Sequence, residues 1–148
     1  MRGDRKEKDV NMSRTSGVVD WLRACPLLDK VEAIDVNQLS PELEALGVYK
    51  QPTRTVTELI DGSTIINEIY YLLFRQPAQL AQERQSSEEY LEKVEGWIED
   101  QNWVENFPQI ESAVHDVEVV NTFYMMDRDD DEAVYQLSIA ITYERKPK

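Results

Sequence analysis

The chain has 148 residues, 41% of them hydrophobic, with one cysteine and a formal net charge of −13. That length and composition suit one domain with a real core, and the shortage of clustered Lys and Arg argues against nucleic acid as the main ligand. The charge is regional: residues 83–132 hold 16 Asp and Glu against 3 Lys and Arg, so this block alone carries a charge equal to the total.

With Cys25 as its single cysteine, the chain can form no internal disulfide and fits folding in a reducing compartment. The longest uncharged run, Ala133 to Tyr143, includes Gln136, Ser138 and Thr142, and is far short of the roughly 20 apolar residues that cross a bilayer. No membrane span is expected. The opening "MRGDRKEKDVNMSRT" is charged and lacks the apolar stretch of a secretory signal.

Residues 1–14 mix five basic with three acidic side chains and add little apolar surface, which reads as a flexible basic arm ahead of one domain over residues 15–148. In "SGVVDWLRACPLL", Ser16 can cap a helix whose Val18, Trp21, Leu22 and Cys25 recur at helical spacing until Pro26 stops it. From Lys30 to Lys50 the signals are mixed: a short strand near Val31 to Val36, then a turn of helix starting at Ser40-Pro41. The segment "TRTVTELIDGSTIINEIYYLLFR" predicts a β-hairpin turning at Asp61-Gly62. Its second strand is apolar on both faces around Tyr70 to Phe74, as in a central strand or one that meets another subunit.

Gln76 to Gln85 reads as a polar connector. The next helix opens with a capping box from Ser86 to Glu89 and places Tyr90, Leu91, Val94, Trp97 and Ile98 on one face. At 100° per residue, Glu88, Glu92, Glu95 and Glu99 form a stripe away from that face. Val117 to Met126 and Ala133 to Tyr143 read as two strands. The second alternates, with Ala133, Tyr135, Leu137, Ile139, Ile141 and Tyr143 on one side. The expected fold is a single α+β domain, a mostly antiparallel sheet built from hairpins and covered by two or three helices.

The turn between those strands, "DRDDDE" at 127–132, invites comparison with a calcium loop, which needs oxygen ligands at positions 1, 3 and 5, Gly at 6 and Glu at 12. Asp127, Asp129 and Asp131 fit the first three, but position 6 is Glu132 and position 12 is Ser138. A hairpin turn of solvated carboxylates is the stronger reading, with a cation-binding domain using 127–132 as a remote alternative. One His and one Cys cannot supply a structural zinc site. A Cys25–His115 nucleophile pair would need a core cysteine to meet a strand-end histidine in a cleft, and neither a serine elbow nor a phosphate-cradling glycine loop is present. No catalytic residue, metal or cofactor is therefore expected. The glutamate stripe is either a solvated face or the match for a basic surface on another subunit, since like charges four apart disfavour an isolated helix. The aromatics Trp21, Trp97, Trp103, Tyr70, Tyr71 and Tyr90 are core fillers or interface anchors. Candidate contact residues are accordingly Glu88, Glu92, Glu95, Glu99, Tyr70, Tyr71, Asp129 and Asp131.

Taken in order, "VVDWLRACPLLD", "LIDGSTIINEIYYLLFR", "YLEKVEGWIEDQN" and "MMDRDDDEAVYQLSIAITYERK" resemble the tail-terminator-like proteins of long-tailed bacteriophages and prophages, also labelled minor capsid or tail proteins. The resemblance covers Gly17 to Arg145 and departs from the family between Lys30 and Gln51. It implies a small fold with a mostly antiparallel sheet under helices, made in the host cytoplasm and assembled into a homohexameric ring in the virion, at the head-proximal end of the tail tube. There the ring stops tube growth and presents a surface to the head–tail connector, so the implied partners are other copies of itself, the tail tube protein and the connector. A head–tail joining or tail-completion protein of the same neck is the alternative. The family has no catalytic motif to carry over.

Overall fold

Ser13, with extended backbone, opens the first helix: its Oγ accepts the N–H of Ser16 at 3.0 Å, and α1 runs Arg14–Arg23. The computed structural model describes residues 13–31 and 33–147. Residues 1–12 of the expected arm lie outside the described residues, whereas Ser13 caps α1 and Arg14 is its first residue. The expected cap at Ser16 is thus corrected by one turn: Ser13 accepts the N–H of Ser16, so the helix begins three residues earlier. Val18, Val19, Trp21 and Leu22 still face the core.

After a 3₁₀ turn at Pro26–Leu28 come β1 (Ile34–Val36), β2 (Ala45–Lys50), β3 (Thr55–Glu58), β4 (Thr64–Pro77), α2 (Ala81–Trp103), β5 (Ala113–Arg128) and β6 (Glu132–Arg145). They form an α+β domain around a six-stranded sheet in the order β1-β2-β4-β6-β5, with β3 also paired to β4. Every pairing is antiparallel except that of β1 with β2.

The expected hairpin is present. In its turn Gly62 takes φ 90°, and the Asp61 carboxylate accepts the Ser63 N–H and hydroxyl at 2.9 and 2.6 Å. Between Lys30 and Lys50 the expected helical turn at Ser40-Pro41 is replaced by an irregular loop that leads through Glu44, at φ 62°, into β2. The expected connector at 76–85 is corrected too. β4 runs on to Pro77 and α2 starts at Ala81, where the Glu83 carboxylate accepts the Leu80 N–H at 3.0 Å. Ser86 and Ser87 therefore sit inside the helix, not at its cap, and the Ser87 hydroxyl donates to the Pro77 carbonyl at 3.2 Å.

Both helices join one face of the sheet. The core cluster contains Val18 and Leu22 of α1, Leu91, Val94 and Ile98 of α2, Ile66, Tyr70, Leu72 and Phe74 of β4, and Tyr135, Leu137, Ile139, Ile141 and Tyr143 of β6. The strand residues pair directly, Tyr70 with Ile139 and Leu72 with Leu137 among them, so they share one face. The two tryptophan rings of α1 and α2, Trp21 and Trp97, lie 5.1 Å apart and close the space between the helices.

Candidate assembly interface

The alternation of β4 sends Ile65, Asn67, Ile69, Tyr71, Leu73 and Arg75 to the face opposite the helices. None of Ile65, Ile69, Tyr71 and Leu73 belongs to the core cluster or packs against it. Their partners on β6 are Glu144, Ala140, Ser138 and Gln136. Ala140, Ser138 and Val134 on this face are buried although none belongs to the core cluster, and the Ser138 hydroxyl has no hydrogen-bond partner among the described residues. At one side the loop before β2 lies on the sheet. Arg75 Nε donates to the Ser40 carbonyl at 2.8 Å, and a side chain at Gly47 would come within 2.5 Å of the Gln38 carbonyl. Gly47 is needed for that approach. Beyond it no helix covers the stripe: Ile65, Ile69, Tyr71 and Leu73 are half-buried, and the face continues to Tyr124 on β5, which is 49% exposed.

Of the two adjacent candidate tyrosines, Tyr71 joins this open face and Tyr70 does not. Tyr70 is 1% exposed, and its hydroxyl donates to Glu68 at 3.0 Å. Glu68 is itself buried on the helix side, with Arg14 Nε at 2.8 Å and Arg54 Nη1 at 3.5 Å. Burial pushes its carboxyl up, but the hydrogen bond and charge of Arg14 outweigh that and hold it below the usual carboxylate range. Among the tryptophans, Trp21 is core and donates to the Asn106 carbonyl, while Trp103 at the end of α2 is 88% exposed.

The glutamate stripe divides. Glu88, Glu92 and Glu99 are exposed, but Glu95 turns onto β5, where its carboxylate accepts the Thr122 hydroxyl at 2.7 Å and the Phe123 N–H at 2.6 Å. The register of β5 against β6 shifts in this stretch, between Asn121 and Tyr124. A ladder irregularity leaves backbone groups without a strand partner, and Glu95 supplies one. Its role is internal.

The acidic turn is also partly explained from within. Asp129 Oδ1 accepts the N–H groups of Asp131 and Glu132, both at 2.9 Å, and these bonds hold its carboxyl below the usual range. Glu132 pairs with Arg75 at 2.6 Å, and the Asp131 carbonyl accepts the Ala78 N–H at 3.0 Å. The side chains of Asp130 and Asp131 remain exposed with no ion pair among the described residues. Among those residues no group of three or more His, Cys, Asp or Glu is arranged to hold a metal ion, and no helix is long and apolar enough to cross a membrane.

Cys25 and His115 lie on different parts of the fold. Cys25 is fully buried, and burial pushes its thiol pKa up; His115 is on the edge strand β5, with Nε2 3.4 Å from Glu144. A protonated core thiol behaves as a small apolar side chain.

One feature at the far end of β6 has no counterpart in the sequence reading: a cleft of about 220 Å³ lined by Ser13, Arg14, Lys50, Glu111, Tyr143 and Arg145 among others. Its basic residues come from α1, β2 and β6, so only the fold brings them together. By sequence Arg14 falls in the basic arm, and the Arg14–Glu68 pair spans 54 positions, beyond any local spacing rule. No family model matches this chain, and comparison with curated proteins gives no match.

Proposed function

We propose that this chain is a structural assembly protein, a tail terminator whose copies form a ring that caps the tail tube, stops its growth and offers the surface to which the head connector attaches. It carries out no reaction in this role and needs no cofactor. The observation that carries the reading on the structural side is the open apolar face of β4 and β6. An antiparallel sheet with one solvated face normally shows polar residues there, yet here Ile65, Ile69, Tyr71 and Leu73 stand on the side without helices. A patch of that kind marks a contact with another protein. The sequence resemblance, running in order through α1, the β3–β4 hairpin, α2 and the β5–β6 hairpin, supplies the kind of assembly.

Native mass spectrometry and negative-stain imaging of the purified chain test this directly. Rings of defined subunit number are expected, capable of blocking elongation of purified tail tube protein. A chain that stays monomeric at every salt and protein concentration, and leaves tube length unchanged, refutes the reading.

A further inference from the structure

The cleft at the end of β6 gathers positive charge. Arg14 is pinned on one side only: its Nε donates to the buried Glu68, it lies 5.8 Å from the centre of the Tyr143 ring, and its two Nη atoms make no hydrogen bond among the described residues. A guanidinium fixed through Nε presents the remaining fork in one orientation, the geometry that binds carboxylates with two parallel hydrogen bonds. Two further cations line the cleft, Lys50 and Arg145, and neither has an ion pair among the described residues. Ser13 and Thr15 place the positive end of α1 at the same spot. Counting Arg54 beside Glu68, four cations face two carboxylates, Glu68 and Glu111, so the cleft is net positive in a chain of net charge −13.

The complementary group is on the same molecule but out of its own reach. Strand β6 begins at Glu132, next to the acidic turn, and ends at Arg145 in the cleft. Its 14 residues separate the two by roughly 40 Å. Asp130 and Asp131 are exposed on a turn only three residues long, Asp129 to Asp131, closed by two hydrogen bonds to the Asp129 carboxylate.

We propose that the Arg14–Lys50–Arg145 cleft receives the Asp130 and Asp131 carboxylates of a second copy of this chain, so that subunits join end to end along the direction of the long strands. Such a contact uses two different patches and is heterologous, which generates a closed ring when the rotation per subunit closes and a filament when it does not. The inference rests on the ring reading above and names the contact that builds the ring. Its occupant is chosen by charge: the turn is the acidic group that every copy carries in the same hydrogen-bonded form, opposite the net positive cleft.

Two charge-reversed variants test it, Asp130→Lys with Asp131→Lys at the turn, and Lys50→Glu with Arg145→Glu in the cleft. All four side chains are exposed; the turn variant should unfold at the temperature of the unassembled wild type, and the cleft variant below it but as a folded chain, because the Lys50 charge also favours the buried Glu68 carboxylate. Each alone should assemble at least about tenfold more weakly than wild type, as the loss of several charge-assisted contacts implies. Mixed in equal amounts, they should reassemble, since the reversed turn fits the reversed cleft and the unaltered pair is intact. Native mass spectrometry should then show even numbers of alternating subunits. Wild-type rings together with unimpaired assembly of either variant overturn the contact while leaving the ring reading in place, and so does failure of the folded pair to reassemble on mixing. A wild type that never assembles overturns both. If a reversed variant does not fold, the neutral versions, Asp130→Asn with Asp131→Asn and Lys50→Gln with Arg145→Gln, replace it, and undiminished assembly of those variants overturns the contact equally.

Discussion

Four glutamates share one stripe of α2, and the structure predicts that they are not equivalent. Glu95→Ala removes the acceptor for both the Thr122 hydroxyl and the Phe123 N–H, at 2.7 and 2.6 Å. The hydroxyl can turn to water, but the Phe123 amide sits in a part-buried stretch where the β5 ladder is irregular, and it loses its partner. A hydrogen bond to a charged acceptor contributes about 1.5–3 kcal/mol, and part of that returns through hydration at this half-exposed site, so a net loss of about 2 kcal/mol is expected. Glu88→Ala, Glu92→Ala and Glu99→Ala remove exposed side chains with no hydrogen bond or ion pair among the described residues. They should stay within about 0.5 kcal/mol of wild type, or gain slightly from reduced repulsion. Urea unfolding followed by tryptophan fluorescence, at a concentration where the chain is dissociated, measures all four. The link between α2 and β5 is refuted if Glu95→Ala lies within about 0.5 kcal/mol of its three neighbours.

Three more outcomes follow from particular contacts. Glu68 is held below its ordinary value of 4.5 in the folded chain; the stability it contributes is therefore present above that value and lost as pH falls through the folded pKa. Glu68→Gln should cost about 1–2 kcal/mol at pH 7, discounted for the 36% exposure of Arg14, and the gap to wild type should close at acid pH; a gap that does not change with pH contradicts the Arg14 pairing. Gly47→Ala drives a methyl group to 2.5 Å from the Gln38 carbonyl, which should lower stability by about 1–3 kcal/mol in a thermal melt, and an unchanged melt would mean the loop does not rest there. Leu72 is fully buried and Leu73 stands on the open face, so Leu72→Ala should cost the dissociated chain about 3 kcal/mol and Leu73→Ala less than about 1; size-exclusion chromatography should show the reverse order for loss of assembly.

The long strands were legible because their alternation survives burial. Ala133 to Tyr143 shows one apolar side in the sequence, and those same residues face the helices. β2 was not legible. "ALGVYK" is short, with a glycine at its centre that weakens any strand signal, and it is a strand because β4 offers it six partners from Tyr70 to Arg75. The first part of α2 escaped for a different reason. Of residues 81–90 only Ser87 is buried, so that stretch reaches past the core and has no apolar period to read. Its start depends on Glu83 returning to the Leu80 N–H, in place of the Ser86–Glu89 box that the letters suggested.

The candidate interface was legible only as a property of β4. A strand apolar on both faces has to be covered on both, and the helices cover one. The polar residues of β4 sharpen this: Glu68 and Gln76 lie on the covered face, where Glu68 takes Arg14, Arg54 and Tyr70 as partners, while Ile65, Ile69, Tyr71 and Leu73 lie on the open one. A free monomer would favour the opposite arrangement, with charge outside and hydrocarbon within. The buried Glu68 is what holds the Arg14 fork toward the cleft, so a polar side chain on the inside orients a charged group on the outside. No spacing rule joins residues 14, 68 and 143. Their convergence is a product of the sheet, and the candidate contact surfaces had to be read from the folded chain.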